Sequence, residues 1–226
     1  SIRAFLYWCM SEKLIPQFTI SIPKVDKRIK ETYSEAELKV LLKKPDIKKT
    51  SFNQYKLWVL SNYLLATGNR LSSALNIKIK DLNFDNDVIF VEKTKNRKQQ
   101  IIPMSNTLKD ILQEYLQYRN GEPEDYLFCN SYGEKAHQRT TQQSTADYNR
   151  KRGITKTSAH LYRHTFAKLW ILNGGDIFRL QKILGHSDLT VVKEYVNMFS
   201  NDIAIDFDKF NPLDNLKTNK KNCIKL

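Results

Sequence analysis

A single candidate β-hairpin stands among helical patterns in this sequence, and it is the feature that most restricts the possible folds. The β-rich segments are residues 87–91 and 100–104, and a polar, basic stretch over residues 92–99 joins them. Two such runs with a polar connection are typical of an antiparallel pair. Because most other segments have helical spacing, the sequence predicts a mainly α fold with a small antiparallel β-sheet.

Helical patterns lie on both sides of the hairpin. Ser34 and Glu37 have the spacing of a capping box, in which a hydroxyl and a carboxylate satisfy free amides at a helix start. Residues 126–128 predict a short buried strand. Apolar periodicity predicts helices at about 35–43, 53–66, 70–77 and 105–119, and mostly helical structure over 138–198 with breaks near Gly153, Gly174 and Gly185.

Composition divides the chain into four parts. Residues 1–14 carry an amphipathic helix that cannot bury its apolar side alone, so we expect the last helix of a truncated N-terminal domain. Residues 15–33 contain two prolines and a basic run, which is the composition of an interdomain linker. The main domain is predicted at 34–200, and residues 201–226 form a C-terminal tail with an apolar stripe.

Charge and cysteine usage narrow the classes of partner and compartment. The 226-residue chain has 37 Lys and Arg against 24 Asp and Glu, a formal net charge of +13 that favours a polyanion such as nucleic acid. Three scattered cysteines, without metal-type spacing, indicate a reducing cytoplasm rather than a disulfide framework. No apolar run is long enough to cross a bilayer, so no membrane partner is expected.

Three short clusters contain residues that can carry chemistry. Taken singly, each has an ordinary structural explanation: a surface arginine, a structural histidine or a core tyrosine. His160 and His164 are four apart, but no carboxylate or cysteine completes a zinc signature, so we predict no metal site. The clusters are residues 66–70, with Arg70 in the first turn of the next helix, residues 158–167, and residues 184–196.

Read together and in order, these clusters resemble the catalytic domain of the tyrosine recombinase (phage integrase) family over about residues 33–200. Arg70 ends a T-G-x-R turn, and His160 with Arg163 forms the H-x-x-R motif. His186 ends an L-G-H motif, and Tyr195 follows at the distance where the family places its nucleophile. The motifs are short, but their combination is specific to this family.

Two further positions bear on the resemblance. The family's hairpin lysine maps to Lys95, eight residues before Pro103, with Lys93 as the alternative. The family usually has an acidic residue three positions after its first arginine, but Ser73 stands there. A hydroxyl can donate or accept a hydrogen bond but cannot hold a cation by charge.

The resemblance implies a mechanism without a metal or other cofactor. Tyr195 would attack a DNA phosphodiester and form a 3′-phosphotyrosyl link with a free 5′-hydroxyl. Arg70 and Arg163 would bind the nonbridging oxygens of the transition state. Lys95 would donate a proton to the leaving oxygen, and His160 would exchange a proton with the tyrosine. His186 would donate a hydrogen bond to the phosphate.

Two groups of cations are expected to contact the DNA backbone, because phosphate contacts come mainly from Lys and Arg. The linker supplies Lys24, Lys27 and Arg28. The segment before the H-x-x-R motif supplies Arg139, Arg150, Lys151 and Arg152, together with Lys156.

The resemblance therefore implies a site-specific recombinase that integrates and excises a bacterial mobile element. The expected partners are double-stranded DNA recombination sites, three further copies in a tetramer, and an accessory directionality factor. The tail, residues 201–226, is expected to dock on a neighbouring protomer once DNA is bound, and to fold back on its own domain or stay disordered in the free monomer. The expected location is the bacterial cytoplasm at the nucleoid. Two alternatives stay open: a type IB topoisomerase, and a DNA-binding module of the same fold that does not cleave.

Overall fold

The computed structural model describes residues 2–21, 31–91 and 100–185, and these form eight α-helices, two short 3₁₀ helices and one small sheet. The 3₁₀ helices are Ile47–Lys49 and Ile79–Asp81. The strands are β1 (Leu82–Asn83), β2 (Val88–Val91) and β3 (Gln100–Pro103). The helices are α1 (Ile2–Ser11), α2 (Glu35–Leu41), α3 (Phe52–Thr67), α4 (Leu71–Ala74), α5 (Asn106–Arg119), α6 (Gln138–Arg150), α7 (His160–Leu172) and α8 (Ile177–Leu184).

The sheet contains the predicted hairpin and one additional strand. Its order is β1-β2-β3, and both pairs are antiparallel, with Val91 opposite Gln100. Ile89 and Ile102 are paired and buried, so one face of the hairpin joins the core. The two-residue strand β1 was not predicted, because it is too short to show an alternating pattern. The mainly α fold with a small antiparallel sheet is confirmed.

Helix α3 lies at the centre of the core and packs against α5, α6 and α7. It is buried on nearly all sides, as Trp58, Leu60, Tyr63 and Leu64 illustrate. A helix surrounded by other elements needs apolar residues around its whole circumference rather than along one stripe. This burial continues to Thr67 at the C-terminal end of α3, which carries the turn before Arg70.

Two predicted elements, the helix over 70–77 and the strand over 126–128, are wrong, and their residues are neighbours in the structure. The helix expected over 70–77 is only the four-residue α4, because the chain turns after Ala74. The strand expected over 126–128 is a single bridge between Lys78 and Tyr126, continued by a hydrogen bond from the Leu127 amide to the Ile77 carbonyl (2.8 Å). The apolar pattern of residues 126–128 reflects burial. The segment that faces them, around Lys78, is too short to form a ladder of strand hydrogen bonds.

Other predictions about organisation fare differently. The capping box at Ser34 is confirmed, since its hydroxyl accepts from the Glu37 amide and the Glu37 carboxylate accepts from the Ser34 amide. On α1, Phe5 and Trp8 are largely exposed. The assignment of α1 to a preceding domain stays a prediction.

Within the described ranges no helix is long and apolar enough to span a membrane, and no three His, Cys, Asp or Glu side chains cluster as a metal site would require.

Candidate active site

The turn before Arg70 depends on Gly68. This residue ends α3 with a left-handed backbone (φ 63°), and its amide donates to the Leu64 carbonyl at 3.0 Å. Glycine is common at such helix ends because it has no Cβ to clash. The position is also closely packed, since an added Cβ would overlap the ring of Phe166 and lie 3.0 Å from Cδ2 of Leu184. Both the backbone angle and the available space therefore require glycine.

A Gly68→Ala variant should lose stability for both reasons. The left-handed backbone costs about 1–2 kcal/mol for a residue with a Cβ, and overpacking against Phe166 adds about 1–3 kcal/mol. Gly153→Ala is the matched control, because Gly153 has φ 76° but nothing within 4 Å of the added Cβ. Urea unfolding should show the larger loss for Gly68→Ala. Equal losses in the two variants would contradict the packing argument.

The sequence predicted Arg70 in the first turn of α4, but in the structure Arg70 is the N-cap of that helix. Its backbone is extended, its side chain is half-buried, and its carbonyl accepts from the amides of Ser73 (2.9 Å) and Ala74 (3.0 Å). The preceding Asn69 is buried, and its Nδ2 donates to the Tyr63 hydroxyl at 2.7 Å. Arg70 therefore directly follows a turn that is hydrogen-bonded to the core through Asn69. The half-buried Ser73 adds no charge beside it.

The H-x-x-R motif begins α7. His160 is the first residue of the helix and is exposed, and its amide donates to Oγ of Ser158 at 3.3 Å. Arg163, one turn further on, is only 6% exposed. The two side chains therefore occupy different depths, with His160 at the surface and Arg163 inside the protein.

The guanidinium of Arg163 connects two segments that are far apart in sequence. Its Nη1 donates to the Gly68 carbonyl and its Nη2 to the Leu184 carbonyl, both at 2.8 Å. Hydrogen bonds from a charged donor are among the stronger ones in proteins. Arg163 thereby joins the turn before Arg70 to the end of α8, and the L-G-H motif continues directly from that end.

The hairpin is attached to the same end of α8. Gly185 closes the helix with a left-handed backbone (φ 62°), and its amide donates to the Lys182 carbonyl at 3.0 Å. At the base of the hairpin, Nε2 of Gln100 donates to the carbonyls of Lys182 (2.8 Å) and Ile183. Gln100 was not predicted as a site residue, because a polar residue at the start of a strand carries no distinguishing signal.

Buried tyrosines support the helices around this point. The hydroxyl of Tyr162, next to Arg163, donates to Oγ of Ser61 on α3 at 3.1 Å. Burial raises the pKa of Tyr162, and burial likewise raises the pKa of Tyr63. Both hydroxyls therefore stay neutral and keep their protons for hydrogen bonding at ordinary pH. The Tyr162 hydroxyl fixes α7 against α3, whereas the Tyr63 hydroxyl fixes the turn before Arg70 by accepting from Asn69.

A polar groove leads along α6 to the start of α7. Its cavity volume is about 680 Å³, and its lining includes Arg139 and Arg150 from α6 and Ser158 and Ala159 from the loop before His160. Arg150 also forms an exposed ion pair with Asp147 at 2.9 Å. Exposed pairs of this kind are weak, so Arg150 can exchange its partner for a phosphate. The structure thus brings two of the predicted DNA-binding cations into one groove with the loop before His160.

The other cations of this segment point elsewhere. Lys151 and Arg152 line a separate, smaller cavity of about 240 Å³, and the Arg152 guanidinium lies 3.5 Å from the centre of the Tyr148 ring. Lys156 is part-buried and ion-paired with Glu37 at 2.9 Å. The ammonium group of Lys156 therefore serves an internal contact, and its contact with DNA stays a prediction.

Several predicted site residues cannot be placed. They lie outside the described residues, and their assignments stay predictions: Lys24, Lys27, Arg28, Lys93, Lys95, His186 and Tyr195.

Solved structures define the class of protein to which this fold belongs. XerA recombinase superposes with a TM-score of 0.63 and 28% identity over 86% of this chain and 68% of that chain. XerH site-specific recombinase, in a post-cleavage complex with its palindromic difH substrate, has a TM-score of 0.63 and 27% identity over 74% and 50% of the two chains. The Tn1549 transposon integrase has a TM-score of 0.67 over 88% and 72%, but its identity of 22% supports the fold alone. The architecture is that of tyrosine recombinase catalytic domains.

Sequence relatives assign the family. Tyrosine recombinase XerD of Staphylococcus haemolyticus is 28% identical over 221 residues, which are 94% of this chain and 74% of XerD. Tyrosine recombinase XerC of Bacillus licheniformis is 32% identical over 211 residues, 88% of this chain and 68% of XerC. The phage integrase family profile matches residues 31–201, so the chain belongs to the phage integrase family. As a member, it is a site-specific DNA recombinase of the tyrosine type.

Proposed function

We propose that this chain cleaves DNA at a recombination site and rejoins it through a 3′-phosphotyrosyl link to Tyr195. The observation that carries the proposal is the pair of hydrogen bonds made by Arg163. They bring the turn before Arg70 and the end of α8 to the helix that begins with His160. The three motifs that resemble the family's active site are thus adjacent in space as far as they are described.

In this mechanism the arginines stabilise the negative charge that develops on the phosphate. Arg163 uses at least two of its five N–H groups to hold backbone carbonyls. Arg70 has a half-buried side chain at the surface of the site. Arg70 therefore makes the main bidentate contact with the nonbridging oxygens, while Arg163 adds positive charge and keeps the two turns together.

The remaining steps are proton transfers around a covalent intermediate. Lys95, or Lys93 in the alternative register, protonates the leaving 5′-oxygen, and His160 takes the proton of Tyr195. His186 hydrogen-bonds the scissile phosphate. The phosphotyrosyl ester retains the energy of the broken bond, so the strand can be rejoined without another energy source.

The groove along α6 is the proposed path of one DNA backbone. Arg139 and Arg150 line it, and its end lies at the loop before His160. The XerH relative was crystallised with its difH substrate, which supports double-stranded DNA as the partner. Lys151 and Arg152 would meet the backbone at a second position, and the linker cations Lys24, Lys27 and Arg28 would extend the contact.

Assembly on DNA follows from this proposal. Residues 1–14 end an N-terminal domain, 15–33 link it to the catalytic domain at 34–200, and 201–226 dock on the next protomer. Four copies form a closed tetramer on paired sites, since head-to-tail contacts between identical subunits can close a ring. A mobile element in a bacterium is the source of the sites, an accessory factor sets the direction, and the reaction takes place at the nucleoid in the cytoplasm.

The proposal predicts a covalent complex with DNA. The substrate is a duplex made from the repeats that flank the gene, with a nick beside the cleavage position so that the cut fragment is lost and religation is blocked. The wild-type protein should give an adduct that survives denaturing electrophoresis. Mass spectrometry of the digested adduct should locate the nucleotide on the peptide that contains Tyr195.

Two other outcomes would each support an alternative. Binding to the duplex without any adduct would indicate a DNA-binding module that does not cleave. Relaxation of supercoiled plasmids at the same rate with and without the site would indicate a topoisomerase. A supercoiled plasmid without the site therefore belongs in the experiment as a control.

A further inference from the structure

The end of the linker is bound directly to the helix that carries His160 and Arg163. Tyr33 is only 2% exposed, and its ring lies against Tyr162 of α7, with 4.8 Å between centroids. Its amide donates to Oγ1 of Thr165, also on α7, at 2.9 Å. The backbone and the side chain of Tyr33 therefore both follow the position of α7.

The hydroxyl of Tyr33 reaches the loop that precedes His160. It lies 3.4 Å from the carbonyls of Lys156 and Ser158, and it accepts from Nδ2 of Asn149 at 2.8 Å. Asn149 is fully buried and also donates to the Lys156 carbonyl at 2.8 Å. Burial raises the pKa of Tyr33 to about 12, so the hydroxyl keeps its proton and can donate to the loop.

The same loop holds the linker from the opposite direction. Nζ of Lys156 donates to the Thr32 carbonyl at 2.9 Å and pairs with the Glu37 carboxylate at 2.9 Å. Burial opposes ionisation of Glu37, but the Ser34 amide and Lys156 outweigh it and lower the pKa of Glu37. The ion pair is therefore formed at neutral pH. Residues 32–33 and 156–158 are joined by hydrogen bonds in both directions.

We propose that Tyr33 is a positioning residue for His160. Its single O–H is shared between the carbonyls two and four residues before His160, each at 3.4 Å, and the Ser158 side chain accepts from the His160 amide. His160 itself is exposed, so the loop rather than the core determines where its imidazole meets the DNA. The inference rests on the proposed function, because the effect of Tyr33 is measured through the reaction of His160.

The test compares two single hydroxyl deletions. Tyr33→Phe keeps the ring on Tyr162 but releases the loop, and we expect adduct formation in a single turnover at saturating DNA to slow by about tenfold, since small misplacement of a catalytic group has effects of this order or larger. The DNA dissociation constant should stay within about twofold, because phosphate contacts dominate affinity. Tyr148→Phe is the control: its buried hydroxyl also donates to a backbone carbonyl, that of Leu41 at 2.9 Å, but not to the loop. It should leave the rate unchanged.

A double-mutant cycle separates positioning from general destabilisation. If Tyr33 acts through His160, then Tyr33→Phe has no further effect on the rate in a His160→Ala background. Independent, multiplicative slowing would overturn the inference. Lys156→Met provides a second variant at a less buried position, and it should slow the wild type and spare the His160→Ala variant in the same way.

The outcomes keep the two proposals apart. A wild-type protein that forms no adduct contradicts the proposed function and this inference together. If Tyr33→Phe and Lys156→Met both form the adduct as fast as the wild type, the inference about Tyr33 is contradicted and the proposed function is not. Equal slowing by Tyr33→Phe and by the Tyr148→Phe control would do the same, because it would show that any lost buried hydroxyl has this effect.

Discussion

A Tyr195→Phe variant should form no covalent complex with DNA, while its affinity for the recombination site stays within a few-fold of the wild type. The substitution removes only the nucleophilic oxygen, and without it no phosphotyrosyl ester can form. Affinity depends mainly on contacts between cations and phosphates, to which one hydroxyl adds little. Denaturing electrophoresis measures the adduct, and a gel-shift titration measures the affinity.

The control for this substitution is another tyrosine hydroxyl at the surface. Tyr132 is 86% exposed, so Tyr132→Phe removes an oxygen of the same kind without disturbing the core. It should cleave as the wild type does. An adduct formed by Tyr195→Phe at the normal rate would disprove the assignment of the nucleophile and require a search among the other tyrosines.

The parts of the fold that were predicted correctly are those with strong local signals. The hairpin, the capping box at Ser34 and the helix after Ser105 are set by neighbouring residues, and all three are present. The errors occur where distant segments decide the structure. The chain around Ala74 turns early, and residues 126–128 meet it in a single bridge, so their apolar patterns reported burial rather than helix or strand.

The candidate site shows the same division between local and distant information. Resemblance to a family singled out Arg70, His160 and Arg163, but no sequence pattern shows that Arg163 bonds to the carbonyls of Gly68 and Leu184. Those partners are 95 and 21 residues away. Tyr33 and Asn149 were missed for the same reason, because the hydrogen bonds from Tyr33 to Thr165 and from Asn149 to Tyr33 span more than 100 residues. Contacts at such separations depend on the complete fold.

An Arg163→Ala variant should lose both activity and stability, whereas Arg70→Ala should lose mainly activity. Loss of an electrostatic donor to the transition state typically slows catalysis about 10²-fold or more, and we expect this effect in both variants. Only Arg163→Ala also leaves two carbonyls, of Gly68 and Leu184, without their donors. An unsatisfied buried group costs about 1–3 kcal/mol, so the free energy of unfolding should fall by roughly 2–6 kcal/mol for the two carbonyls.

The matched substitution Arg163→Lys distinguishes charge from geometry. Lysine keeps the positive charge, but its single ammonium cannot reproduce the planar fork that reaches both carbonyls at 2.8 Å. We therefore expect Arg163→Lys to resemble Arg163→Ala in its cleavage rate and to recover only part of the stability measured by urea unfolding. Arg70→Ala, at a half-buried position, should stay within about 1 kcal/mol of the wild type. If Arg163→Ala unfolds at the same urea concentration as Arg70→Ala, then Arg163 does not hold the two turns together, and its contribution to cleavage comes only from contact with the phosphate.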